Sequence, residues 1–150
     1  MNTALETGSR ISYPLIFLIL ALLFYFSYRY VIPTEDSVIL YDYSKHLATE
    51  GVITYGNANY PIEGATDFLW MALIALFKLV GFNEFASAQL FNFLAALLIM
   101  YLLSKFGVKI AVAFVGLLAT PYLYSALNGF STLFFAAALP QRTFGVFIWP

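Results

Sequence analysis

The sequence predicts an all-α, polytopic transmembrane helix bundle with four spans, a partial fifth and an amphipathic helix in the first outer loop. Three observations lead there. Of 150 residues, 62% are hydrophobic and only 10% charged, against roughly a quarter charged in soluble proteins. The apolar residues come in long runs, several near the about 20 residues an α-helix needs to cross the hydrocarbon core. The polar residues are gathered instead of scattered: six of the eight carboxylates and the only histidine lie between residues 33 and 67.

The balance of charge narrows the partners. A net charge of −1 offers no basic surface for phosphate backbones, which excludes nucleic acid. The absence of cysteine excludes disulfides and thiolate metal sites. Membrane lipids are the expected surroundings, in a multi-pass protein of the plasma (inner) membrane.

Taken in order, the chain reads as a single transmembrane domain over residues 1–150. Residues 1–10 form a polar tail ending at Arg10, and residues 11–30 form span 1. That run is too long and too aromatic for a signal peptide, and no small-residue cleavage site follows it. Tyr25, Tyr28, Arg29 and Tyr30 make an aromatic and basic collar at the headgroup boundary, and Pro33 ends the helix. The outer loop occupies 33–67. Within it, Thr34-Glu35-Asp36-Ser37 reads as a helix start, because carboxylates in a first turn meet free N–H groups and the positive end of the dipole. Ile39, Leu40, Tyr43 and Leu47 then recur at spacings of three and four, opposite Asp42, Lys45, His46 and Thr49. An amphipathic helix of that kind between two spans is expected to lie in the interface plane. Gly51 ends it. Residues 51–63 read as an irregular surface loop around Gly56, Asn57, Asn59 and Pro61.

Span 2 is expected over 68–82, with Lys78 able to reach the interface. Span 3 covers 85–103, close enough to span 2 to make an antiparallel hairpin. Lys105 to Lys109 form a basic turn, span 4 covers 110–127 with Pro121 near its end, and 130–150 is a partial span or re-entrant tail. Arg10 favours a cytoplasmic N-terminus, and the acidic loop then lies outside. Strict alternation over four spans puts Lys105 and Lys109 outside as well, against the positive-inside tendency; the long acidic loop outweighs the two lysines.

The loop is where chemistry is expected. Glu35 and Asp36 leave the membrane just after span 1, and Glu63 sits just before span 2, so consecutive packed spans bring both ends of the loop to one patch of the interface. A carboxylate there can serve as a general base or ligate a divalent cation. Spacing alone also admits a plain reading, in which Glu35 and Asp36 are helix-start acids on solvated sequence. Asp42, Lys45 and His46, at i, i+3 and i+4, read by default as a local ion pair.

The wording of the loop adds a resemblance. Glu35-Asp36-Ser37-Val38-Ile39, then Tyr43-Ser44-Lys45-His46-Leu47-Ala48, then Ile62-Glu63-Gly64-Ala65-Thr66-Asp67-Phe68-Leu69-Trp70 resembles the first outer loop of polytopic GT-C glycosyltransferases, especially the bacterial arabinofuranosyltransferase-like and mannosyltransferase-like group. Asn128-Gly129-Phe130-Ser131-Thr132-Leu133-Phe134 loosely resembles a later segment of the same family. The resemblance implies a polyprenyl-phosphate-linked sugar as donor and a glycan, lipid or protein hydroxyl as acceptor. It places the transfer on the outer face, in building the cell envelope. It implies Asp36 as the catalytic base, Glu35 as the acid that orients the acceptor or a divalent cation, and Glu63 as a substrate-binding or shaping residue. Tyr43, Lys45 and His46 fall in the matching substrate-binding stretch.

Three departures go with it. Asp42 stands where the family commonly has arginine, Ser131 replaces a glutamate, and the family has more spans and often a soluble C-terminal domain. The chain is therefore expected to be an N-terminal portion that needs a further C-terminal region or membrane subunit, and to be inactive alone. The competing expectation is a small multi-span subunit without catalysis that packs against a larger partner.

Overall fold

A computed structural model describes residues 13–56 and 67–138. Every regular element among them is helical: α1 (Tyr13–Tyr30), α2 (Glu35–Glu50), α3 (Phe68–Leu79), α4 (Glu84–Lys105), α5 (Ile110–Leu118), α6 (Pro121–Leu127) and α7 (Thr132–Ala138). By length and composition, α1 and α4 can each cross a membrane, and α5 with α6 make a third crossing if the bent pair is one span. That is fewer than the four spans and partial fifth expected from the sequence.

The centre is α4. Its buried face is made of small and amide side chains, Ser87, Ala88, Gln89, Asn92, Ala95 and Ala96, which let neighbouring backbones approach closely where lipid supplies no hydrophobic drive. Against it pack α1, α3, α5, α6 and α7. Asn83 starts the helix, its Oδ1 accepting from the N–H groups of Phe85 and Ala86 at 2.9 and 3.3 Å, as an N-cap asparagine does.

The aromatic contacts fix the direction of α1 against α4. Phe17 meets Phe93 at 5.4 Å, and Tyr28, eleven residues later, meets Phe85 at 6.0 Å. The pair is antiparallel, and α4 begins at the end of the bundle where α1 finishes. Everything between them therefore leaves and returns at one end. Span 2 is thus corrected: α3 has 12 residues, and it rises about 18 Å against a hydrocarbon core of about 30 Å. It buries Trp70, Met71, Ile74 and Ala75 and leaves Phe68, Leu69, Leu76 and Leu79 exposed. This is a short apolar helix laid on the end of the bundle. Its close follow-on to α4 holds, tied by Lys78 Nζ to Glu84 Oε1 at 3.0 Å.

With α3 removed from the count of crossings, Lys105 and Lys109 return to the side on which α1 starts. The conflict between the acidic loop and the basic turn disappears. Because the chain has no cysteine, a single introduced one reports its side directly. Thr49→Cys and Lys109→Cys are expected to react from opposite faces of sealed vesicles with a membrane-impermeant maleimide. Labelling from one face would restore a crossing between them.

Span 4 is also interrupted. The α5 and α6 axes differ by 69° across Thr120 and Pro121. Proline has no N–H and its ring crowds the carbonyl four residues back, here that of Leu117. That carbonyl is recovered by the Thr120 N–H at 3.2 Å and the Thr120 hydroxyl at 2.8 Å, the kind of local repair that lets a helix break at membrane depth. Of the expected partial fifth span, α7 is described; residues 139–150 lie outside the described residues, as does the 1–10 tail.

The amphipathic helix exists, and its apolar side meets protein. Ser37, Leu40, Tyr41, Tyr43 and Ser44 of α2 are buried, chiefly against α3. Leu40 and Tyr41 join Trp70, Ile74 and Ala88 in one cluster, and the Ser44 hydroxyl reaches the Met71 carbonyl at 3.0 Å.

Candidate functional site

The chain beyond α6 is where the two halves of the protein join. After Leu127 the backbone turns through Asn128 and Gly129 into α7, so the regular helical pairing of carbonyls stops here, and Ala126 keeps only the Gly129 N–H at 2.9 Å as a local partner. Buried in a membrane protein, each unpaired carbonyl costs several kcal/mol. Five successive carbonyls find side-chain or main-chain donors elsewhere. Ala126 and Phe130 both accept from Asn92 Nδ2, at 3.2 and 2.9 Å. Leu127 accepts from Gln89 Nε2 at 2.8 Å and from the Ser27 hydroxyl. Asn128 accepts from the Thr34 N–H at 3.3 Å, and Gly129 from the Tyr41 hydroxyl at 2.8 Å. Ser131 then donates its hydroxyl to Asp67 Oδ2.

These bonds explain polar residues that the sequence places inside apolar helices. Ser27, Gln89 and Asn92 are all buried, and each is spent on a carbonyl of this one stretch. The amide orientations follow from that: with Nε2 and Nδ2 on carbonyls, Gln89 Oε1 and Asn92 Oδ1 face away and have no partner among the described residues.

The stretch also gathers the outer segment. Thr34, at the N-cap of α2, and Asp67, at the N-cap of α3, are both bonded to residues 128–131. Neither caps its own helix with its side chain: Thr34 shares a 2.7 Å hydrogen bond with Ser37, and Asp67 is turned to Ser131. Both ends of the polar segment therefore stand on a common support.

Glu35 and Asp36 form the first turn of α2. Both are exposed, and neither takes a hydrogen bond or ion pair within hydrogen-bonding reach of a described residue. Lys45 and His46 lie about 14–15 Å further along the helix axis than Asp36, nine and ten residues on at about 1.5 Å each. They do not converge with the acids on one point. His46 lies between Glu50, at 2.9 Å, and Asp42, at 3.7 Å, so the local pairing expected on this face is present, with Glu50 in the place of Lys45. Lys45 is exposed. Asp42 also holds the following loop, accepting from the Gly56 N–H at 2.7 Å. Tyr43 is buried, its ring 5.9 Å from that of Tyr55. Glu63 lies outside the described residues. Among the described residues no three His, Asp or Glu side chains are placed to hold a metal ion.

Sequence reasoning missed Asp67, Ser131 and Tyr41 as partners in this arrangement. Burial pushes the Tyr41 hydroxyl up from its ordinary value of 10.0, opposed by a hydrogen bond with Ser37. The folded chain thus holds this proton to a higher pH than the unfolded chain. The stabilisation is full below about pH 10 and is lost as pH rises beyond it, since the unfolded state gains by ionising first. Tyr41→Phe is expected to flatten the fall in thermal stability measured above that pH.

Comparison with known protein families, with curated proteins and with solved structures returned no match in any of the three.

Proposed function

We propose that this chain is the N-terminal membrane portion of a GT-C-type glycosyltransferase, moving a sugar from a polyprenyl-phosphate donor to an acceptor hydroxyl at the outer face of the plasma membrane. The observation that carries the reading is the joining of both ends of the 33–70 segment, through Thr34 and Asp67, to residues 128–131. The resemblance in the sequence falls on those same two stretches.

In this reading the exposed first turn of α2 is the reactive edge. Asp36 accepts the proton of the acceptor hydroxyl, and Glu35 orients the acceptor or a divalent cation. Glu63 contacts sugar hydroxyls, with Lys45 and His46 further along the substrate path and Tyr43 packed beneath them. The donor's phosphate leaves already charged, so what the protein must supply is a positioned base and favourable dipoles. A common support for both loop ends provides the positioning. Sidedness agrees: the polar segment faces out, and Lys105 and Lys109 face the cytoplasm, as the positive-inside tendency prefers.

The test is Asp36→Asn in the chain together with the partner or further region that completes its activity. Sugar transfer from the lipid donor is expected to fall about 100-fold or more, the usual worth of a general base, with thermal stability unchanged because Asp36 is exposed. Transfer at the wild-type rate would remove Asp36 from the mechanism and favour a non-catalytic subunit that packs on a larger partner.

A further inference from the structure

The opposite end of the bundle carries a second feature, independent of the glycosyl-transfer reading. A groove of about 450 Å³ runs between α4, α5 and α7, within the range of small-ligand sites. Its walls are hydrocarbon: Ile99 and Leu102 of α4, Val112 and Gly116 of α5, and Ala136 of α7 among them. The one side-chain hydroxyl lining it besides that of Tyr122 belongs to Thr120, and this is committed to the Leu117 carbonyl. Such a surface takes an extended apolar chain.

Charge stands at one end of it. Phe106 and Val108, in the turn between α4 and α5, line the groove, and Lys105 and Lys109 bracket that turn. Both lysines are exposed. Lys105 Nζ lies 5.3 Å over the Tyr101 ring, and neither lysine is paired with a carboxylate among the described residues. Lys78, by contrast, has Glu84. All the described carboxylates fall between residues 35 and 84, in α2, at the N-cap of α3 and at the start of α4, at the other end of the bundle. Two cations without a carboxylate partner among the described residues, beside a largely apolar groove at the end of a membrane helix, call for an anion joined to a hydrocarbon chain.

We propose that this groove is a binding site for an anionic phospholipid, with its phosphate between Lys105 and Lys109 and one acyl chain along α4 and α5. Lysine side chains on this turn hold the head by charge, and the groove holds the chain by contact.

The experiment compares retention of phosphatidylglycerol and phosphatidylcholine carrying identical chains, by native mass spectrometry of the purified full chain. Wild type is expected to retain phosphatidylglycerol preferentially. Lys105→Gln and Lys109→Gln, both at exposed positions, are each expected to cut that preference about fivefold, the factor set by about 1 kcal/mol per basic residue at an anionic surface. Gly116→Phe tests the chain subsite: a Cβ there meets nothing within 4 Å, so the ring can enter the groove without disturbing backbone. Retention of both lipids is then expected to drop. Equal retention of the two lipids by wild type overturns the proposal, as does a preference indifferent to both lysine changes. Failure to retain either lipid overturns it as well.

Discussion

Trp70→Ala is expected to cost about 3–5 kcal/mol of folding stability, the range for emptying a fully buried large aromatic site. Trp70 is 0% exposed. Its ring lies 5.2 Å from Phe134 of α7 and 5.9 Å from Phe91 of α4, so it is the point at which α3 is fastened to two helices of the bundle. The other ties of α3 include the packing of α2, the Ser44 bond to the Met71 carbonyl and the Lys78–Glu84 pair, none of which reaches α7. The polar handle of this tryptophan contributes nothing in return, because Nε1 is buried with no hydrogen-bond partner among the described residues, a state that costs about 1–3 kcal/mol. Trp70→Phe should therefore behave quite differently from Trp70→Ala. It loses some volume and also removes the unpaired N–H, and the two effects oppose each other. The expected result is an unfolding midpoint near wild type for Phe and a large drop for Ala, measured by thermal denaturation in detergent. Similar large losses for both would mean that the indole N–H is bonded, for instance to a buried water.

How much of this was legible in the sequence depends on what kind of signal each feature leaves. The α1 and α4 helices were plain, because an uninterrupted apolar run has few other solutions. The same reasoning overreached at 68–82, where composition fits a span but the helix is 12 residues long. Hydropathy measures which residues avoid water, and α3 satisfies that by lying on protein with its other face exposed. The sequence did carry the correcting signal: Lys105 and Lys109 fell on the wrong side when α3 was counted as a crossing. The start of α2 was read correctly from Thr34, Glu35 and Asp36, and Gly51 closes that helix as expected, in the left-handed region at φ 71°. The support at 126–130 could not be read, since its acceptors are backbone carbonyls. What pointed to it were the donors, Ser27, Gln89 and Asn92, polar residues at membrane depth that need a reason to be there. Tyr43 illustrates the limit from the other direction. Its place in the matching stretch suggested substrate contact, whereas its environment is that of a packing residue.

Gly129 is where the support and the outer segment can be tested together. Gly129→Ala is expected to destabilise the fold by about 3 kcal/mol, from two sources. The backbone there has φ +85°, a left-handed conformation that costs a residue with a side chain about 1–2 kcal/mol. The added Cβ would also land on the Tyr41 hydroxyl, with the Phe85 ring as close as 3.0 Å on another side. Tyr41 must then move and its bond to the Gly129 carbonyl is lost, leaving a buried acceptor unpaired at about 1–3 kcal/mol. Tyr41→Phe alone incurs the second cost and none of the first. In the Tyr41→Phe background the obstructing oxygen is gone and the bond already broken, so Gly129→Ala should add only the conformational cost and the tight contact with the Phe85 ring. The two substitutions are thus expected to be non-additive by about 1–2 kcal/mol, the coupling typical of residues in contact. Strict additivity would mean that α2 is not held down through this bond. If the proposed function is right, activity reports the same coupling. Either single change loosens the hold of the 128–131 stretch on α2 while leaving Asp36 itself untouched, so transfer should fall in step with the lost stability and recover at lower temperature. A fall that stayed constant with temperature would instead place Gly129 at the reacting groups.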